Sequence, residues 1–107
     1  AFSNNQGKTF SDPIRVDGGH SQGRVDLEWL DEKNVVASWL DAKEEYSSIV
    51  YRKIETNGTL SEISYVESLG GGRGIGYPQF ELMEDKILFV WTDPLGKKQI
   101  KSRWIDL

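Results

Sequence analysis

Val25-Asp26-Leu27-Glu28-Trp29-Leu30 and Asn34-Val35-Val36-Ala37-Ser38-Trp39-Leu40-Asp41 are answered by Tyr77-Pro78-Gln79-Phe80-Glu81-Leu82 and Lys86-Ile87-Leu88-Phe89-Val90-Trp91-Thr92-Asp93. Laid over one another without a gap, the stretches hold a constant offset, with Trp91 following Trp39 and Asp93 following Asp41 by 52 positions. Behind them, Ile49-Val50-Tyr51-Arg52-Lys53-Ile54 matches Ile100-Lys101-Ser102-Arg103-Trp104-Ile105 at an offset of 51. Ahead of them, Gly7-Lys8-Thr9-Phe10-Ser11-Asp12 and Val16 match Gly58-Thr59-Leu60-Ser61-Glu62 and Val66 at 50 or 51. A period near fifty residues, built from short strands, marks a β array whose units need neighbours to bury their faces.

Within each period the pattern is strand alternation, and helical periodicity is missing. Val25, Leu27 and Trp29 alternate with Asp26 and Glu28, as in a half-buried strand. Residues 34–40 and 86–91 are almost continuously apolar, which predicts strands covered on both faces. Asp31-Glu32-Lys33 and Glu84-Asp85 are short polar hairpin connections, and Asn57-Gly58 is a strong hairpin signal. Asn57-Gly58-Thr59 is also an acceptor sequon for N-glycosylation, a reading that comes second to the turn.

The predicted order is a strand stub at 1–2 and a strand at 14–16, four strands at 24–30, 34–41, 47–55 and 61–67, then three at 77–83, 86–92 and 98–106. That is an all-β chain of antiparallel four-stranded units, about two propeller blades. Its frame sets the divisions: residues 1–17 end one blade, 23–67 make a complete blade, and 76–107 give three strands of the next. A closed propeller needs roughly four to eight blades. The chain is therefore expected to be part of a larger ring or to associate with copies of itself. Two hairpin sheets packed as a small sandwich are the alternative.

The sequence has 107 residues, a formal net charge of −4 and no cysteine. Its 17 acidic and 13 basic side chains are interspersed, without the basic stripe that a phosphate backbone requires, which argues against nucleic acid. No apolar run approaches membrane-spanning length, so membrane insertion is not expected. His20 is the sole histidine, with no partner at ligand spacing, and nothing calls for a metal or other cofactor.

Ser3-Asn4-Asn5-Gln6-Gly7-Lys8-Thr9-Phe10 resembles the Asp box of sialidases and their relatives, Ser/Thr-x-Asp-x-Gly-x-Thr-Trp/Phe. Ser3, Gly7, Thr9 and Phe10 match, and Asn5 stands where aspartate is usual while keeping a turn-forming carbonyl. The resemblance extends through residues 7–17, Gly23-Arg24-Val25-Asp26, Ser38-Trp39-Leu40, Arg73-Gly74-Ile75-Gly76-Tyr77-Pro78-Gln79 and Val90-Trp91-Thr92-Asp93, which look like the C-terminal blades of bacterial sialidase-like propellers. It implies an exported protein, periplasmic or extracellular. It also implies a structural hairpin turn at the box, with the aromatic packed back under the blade.

In that family three arginines hold the substrate carboxylate and a tyrosine paired with a glutamate is the nucleophile, with an aspartate as acid/base. On this chain the loops entering the innermost strands are 18–24 and 69–77. The resemblance therefore points to Arg24, Asp26, Arg73 and His20 as candidate ligand-binding residues and to Tyr77 as the candidate catalytic one. A plain aromatic of the channel wall is the competing reading of Tyr77, and a structural pair bracing neighbouring blades that of Arg24 and Asp26. Trp29, Trp39, Trp91 and Trp104 are expected in the core between blades. Two blades cannot supply the full catalytic set. The expectation is a non-catalytic, glycan-binding or scaffolding portion, with part of an active glycoside hydrolase as the alternative. Its partners would be a carbohydrate, the rest of its own propeller, or another copy.

Overall fold

The computed structural model describes residues 1–43, 45–70, 76–94 and 99–107. They form two antiparallel sheets and no helix. The first sheet is β1 (Asp26–Trp29), β2 (Asn34–Lys43), β3 (Tyr46–Glu55) and β4 (Ser64–Ser68), in that spatial order. The second is β5 (Gln79–Met83), β6 (Lys86–Thr92) and β7 (Ile100–Asp106). Among the described residues no helix is long and apolar enough to cross a membrane.

The sheets stack face to face. Val36, Leu40, Ile49, Val66 and Leu69 of the first meet Phe80, Ile87, Phe89 and Trp91 of the second, with Tyr51 and Phe80 against the Phe89 ring at 5.6 and 5.5 Å. Burying each large apolar side chain contributes about 1.5–3 kcal/mol, so this seam is the main source of cohesion between the sheets. On its other face the first sheet buries Ala37, Trp39, Val50 and Ile54 beneath Phe2, Val16 and Leu60.

The repeat explains the stacking. Ile87, Phe89 and Trp91, which face the first sheet, stand 52 positions after Val35, Ala37 and Trp39, which face residues 2–16. Both sheets thus have the same polarity, and the first lies on the second as residues 2–16 lie on the first. An arginine staple repeats with them. Arg52 of β3 donates from Nη1 to the Val16 carbonyl at 2.7 Å and from Nε and Nη2 to the Ser61 carbonyl at 2.9 and 2.6 Å. Arg103 of β7, 51 positions later, donates to the Val66 carbonyl and, at 3.0 Å, to the Glu67 carboxylate.

Several expectations need correction. The repeat is not gapless: Asp26 lies opposite Ser38 but Gln79 lies opposite Val90, so the first strands correspond at 53 positions and the second strands at 52. The difference sits in the hairpins. Leu30 donates to the Asn34 carbonyl across three residues, whereas Met83 pairs with Lys86 across Glu84 and Asp85, with Glu84 at φ 56°. A one-residue shift in a strand exchanges its faces, so Leu27, not Glu28, corresponds to Phe80. Residues 1–2 and 14–16 are not strands, and β4 starts at Ser64 rather than 61. Of the tryptophans, Trp39 and Trp91 are core, while Trp29 and Trp104 are exposed.

The turn at residues 3–10 is held by side chains. Ser3 Oγ accepts the Gly7 N–H at 2.7 Å, Asn5 Oδ1 accepts the Thr9 N–H at 2.9 Å, and Asn5 Nδ2 donates to Thr9 Oγ1 at 2.7 Å. Gln6 and Gly7 take φ of 61° and 83°, the left-handed region that Gly occupies without strain. Phe10 does not pack under the sheet; it is 65 % exposed.

Candidate functional site

Corrected for the hairpin difference, the repeat places Gly23-Arg24 and Gly76-Tyr77 at the same point, just before the first strand of each sheet. Gly23, Arg24 and Gly76 all have positive φ, at 82°, 56° and 73°. An arginine at such a φ is uncommon and marks a position fixed by its surroundings. The loop before it runs beside β2: the Ala42 N–H donates to the His20 carbonyl at 2.8 Å, Gln22 N–H to Leu40 at 2.7 Å, and Leu40 N–H to Gly23 at 3.0 Å. With residues 20–23 tied down, Arg24 is aimed at the second sheet.

There the two matching residues meet. Arg24 Nε donates to the Gly76 carbonyl at 2.9 Å, and its guanidinium carbon stands 4.1 Å from the centre of the Tyr77 ring. Among the described residues the two terminal nitrogens of Arg24 have no hydrogen-bond partner. Tyr77 is 69 % exposed, and no carboxylate among those residues hydrogen-bonds its hydroxyl.

Below this pair two acids tie the sheets along their first strands. Asp26 Oδ2 accepts the Phe80 N–H at 3.1 Å, and Glu28 Oε2 accepts that of Leu82 at 3.2 Å. Carboxylates that take main-chain N–H groups in this way close the free edge of β5. Glu28 nevertheless has its carboxyl pushed above the ordinary value. Partial burial is the main cause and the nearby Glu81 charge the next, and together they outweigh the Leu82 N–H.

Of the candidate residues, Arg24, Asp26 and Tyr77 come together at this seam. Arg24 and Asp26 brace the neighbouring sheet through its main chain and do not pair with each other. His20 belongs to the loop beneath, with an exposed imidazole that no described residue hydrogen-bonds. Arg73 falls outside the described residues. Glu28 and Glu81 are members of the seam that sequence reasoning did not single out, and their signal was the corrected register that sets them in matching places. Among the described residues no cluster of His, Asp or Glu is arranged to hold a metal ion.

In chemical terms, the site offers a fixed guanidinium with an open two-nitrogen fork beside an exposed aromatic face. That combination suits a planar carboxylate carried on a ring that can lie against the tyrosine. Comparison with protein-family models, curated proteins and solved structures gives no match to this chain.

Proposed function

We propose that this chain is a non-catalytic portion of an exported, sialidase-like Asp-box β-propeller, and that its Arg24–Tyr77 end binds a carboxylate-bearing sugar. The observation carrying the ligand reading is the open fork of Arg24, held by the Gly76 carbonyl and backed by the Tyr77 ring. The propeller reading draws on the fifty-residue period, the common polarity of the two sheets and the side-chain-held turn at residues 3–10. Binding is favoured over turnover because a tyrosine nucleophile, with an ordinary pKa near 10, needs a base beside it, and no described carboxylate hydrogen-bonds Tyr77.

The test is titration of the chain with a methyl sialoside and with a neutral galactoside, followed by NMR. The sialoside should bind and the galactoside should not. Arg24→Met should weaken sialoside binding about tenfold or more, the scale of one charged hydrogen bond, with the fold unchanged. Failure of the sialoside to bind, or indifference to the substitution, would sink the ligand reading and leave a scaffolding role. Release of sugar that Tyr77→Phe abolishes would instead establish the hydrolase alternative.

A further inference from the structure

The seam between the two sheets is a head-to-tail junction, and the counterparts of both its halves occur a second time, largely exposed among the described residues, with Phe2 beside Trp29 and Glu81 near Glu28. One half is the outer face of the second sheet, where Gln79, Glu81, Met83 and Leu88 occupy the places of Asp26, Glu28, Leu30 and Val36. In the seam that face belongs to the first sheet, and Asp26 and Glu28 reach from it to the Phe80 and Leu82 N–H groups. The other half is the strip Val25, Leu27 and Trp29 on the first sheet, in the places of Pro78, Phe80 and Leu82. These three are exposed, as is Met83, with Leu27 at 60 % and Met83 at 56 %. An apolar groove of about 240 Å³, lined in part by Phe2, Ile14 and Val16, runs beside Leu27 and Trp29.

We propose that the outer face of the second sheet docks head to tail on the Val25–Leu27–Trp29 strip of a second copy of this chain. The chain's own seam supplies the template for that occupant. Leu88 and Met83 bring apolar surface where Val36 and Leu30 do in the seam. Glu81 stands where Glu28 does, so its carboxylate meets the Trp29 N–H as Glu28 meets that of Leu82. The Leu27 N–H is already taken by Asp26 Oδ1 at 2.9 Å, which makes the Glu81 to Trp29 bond the one new rung. Tyr77, in the place of Arg24, is brought to Arg24 of the second copy, whose unpaired nitrogens are donors for its hydroxyl. Because the two surfaces differ, the contact is heterologous and each copy has one of each to offer.

That asymmetry gives a decisive experiment. Sedimentation of the intact chain over a concentration series up to millimolar should show species above the monomer. Leu27→Lys and Met83→Lys each bury a charge in every junction of a uniform sample, so either variant alone should associate about tenfold or more weakly. Mixed one to one, they leave a single unmodified junction between the Met83 of one and the Leu27 of the other, and a heterodimer should return. Both positions are exposed, so thermal melting followed by circular dichroism should match the unsubstituted chain. A monomer throughout the series, singles that associate normally, or a mixture that stays monomeric would each overturn the proposal. Arg24 is left unchanged in both variants, which keeps this outcome separate from that of the sialoside titration.

Discussion

The first sheet and the second are written by one repeat and buried differently. In β2, Val35, Val36, Ala37, Ser38, Trp39 and Leu40 are all buried, since residues 2–16 cover one face and the second sheet covers the other. In β6 the matching run Ile87-Leu88-Phe89-Val90-Trp91 alternates, with Ile87, Phe89 and Trp91 buried and Leu88 and Val90 only half-buried. The same apolar spelling thus meets two covers in one sheet and one in the other. A continuous apolar strand reports the faces it is suited to bury, and what lies on those faces is a separate fact.

The comparison breaks most completely at the seam. Phe89 is fully buried and lies between Phe80 of its own sheet and Tyr51 of the first. Phe89→Ala should cost about 3–5 kcal/mol, read as a fall in the urea midpoint, and should separate the sheets. A loss near 1 kcal/mol would mean that the second sheet contributes little to the fold.

A smaller effect distinguishes the two arginine staples. Arg52 is half-buried and spends three N–H groups on the Val16 and Ser61 carbonyls. Arg103 is exposed and spends one N–H on the part-buried Val66 carbonyl, while its pair with Glu67 is exposed to water. Removing several charged hydrogen-bond donors from partly buried carbonyls costs about 1.5–3 kcal/mol, and exposed ion pairs contribute about 0–1. Arg52→Met should therefore lower stability by the larger amount and Arg103→Met by the smaller, both measured by denaturant melts. Equal losses would show that the second sheet's staple is as well shielded as the first's.

Much of this was readable in the sequence. The period, the seven strands and the turns at Asp31-Glu32-Lys33, Glu84-Asp85 and Asn57-Gly58 follow from local chemistry, which acts over a few residues. The hairpin difference was harder, because Trp39 and Trp91 anchor an alignment that looks gapless through two polar turns. Its warnings were Glu28 falling on Phe80 and Trp29 falling on Glu81, each an acid against an aromatic. Missing it hid the match of Arg24 with Tyr77 and of Glu28 with Glu81, which organises the candidate site. The staples carried a signal in the repeated Arg52 and Arg103, yet their targets are main-chain carbonyls, to which sequence patterns are blind. Trp29, Trp104 and Phe10 are exposed because alternation assigns a face without supplying what covers it.

The mildest test concerns the acids along the first strands, where the two sheets again differ: Glu28 reaches the next sheet, while Glu81, its counterpart, presses a second negative charge on it. The Glu28 carboxyl is raised from its ordinary value of 4.5, so the folded chain holds that proton more tightly than the unfolded one. Its contribution to stability is complete below the unfolded value and is lost as pH rises through the folded one. Glu28→Gln removes the charge and keeps a carbonyl oxygen for the Leu82 N–H. The substitution should raise stability at pH 7 by about 0.5 kcal/mol, the scale of relieving one like-charge neighbour, and the gain should vanish below pH 4.5, where Glu28 is protonated anyway. Denaturant midpoints of both proteins across that range decide the matter. A variant less stable at pH 7 would mean that the charge-assisted bond to Leu82 outweighs the repulsion from Glu81, and that the carboxylates hold the seam as anions.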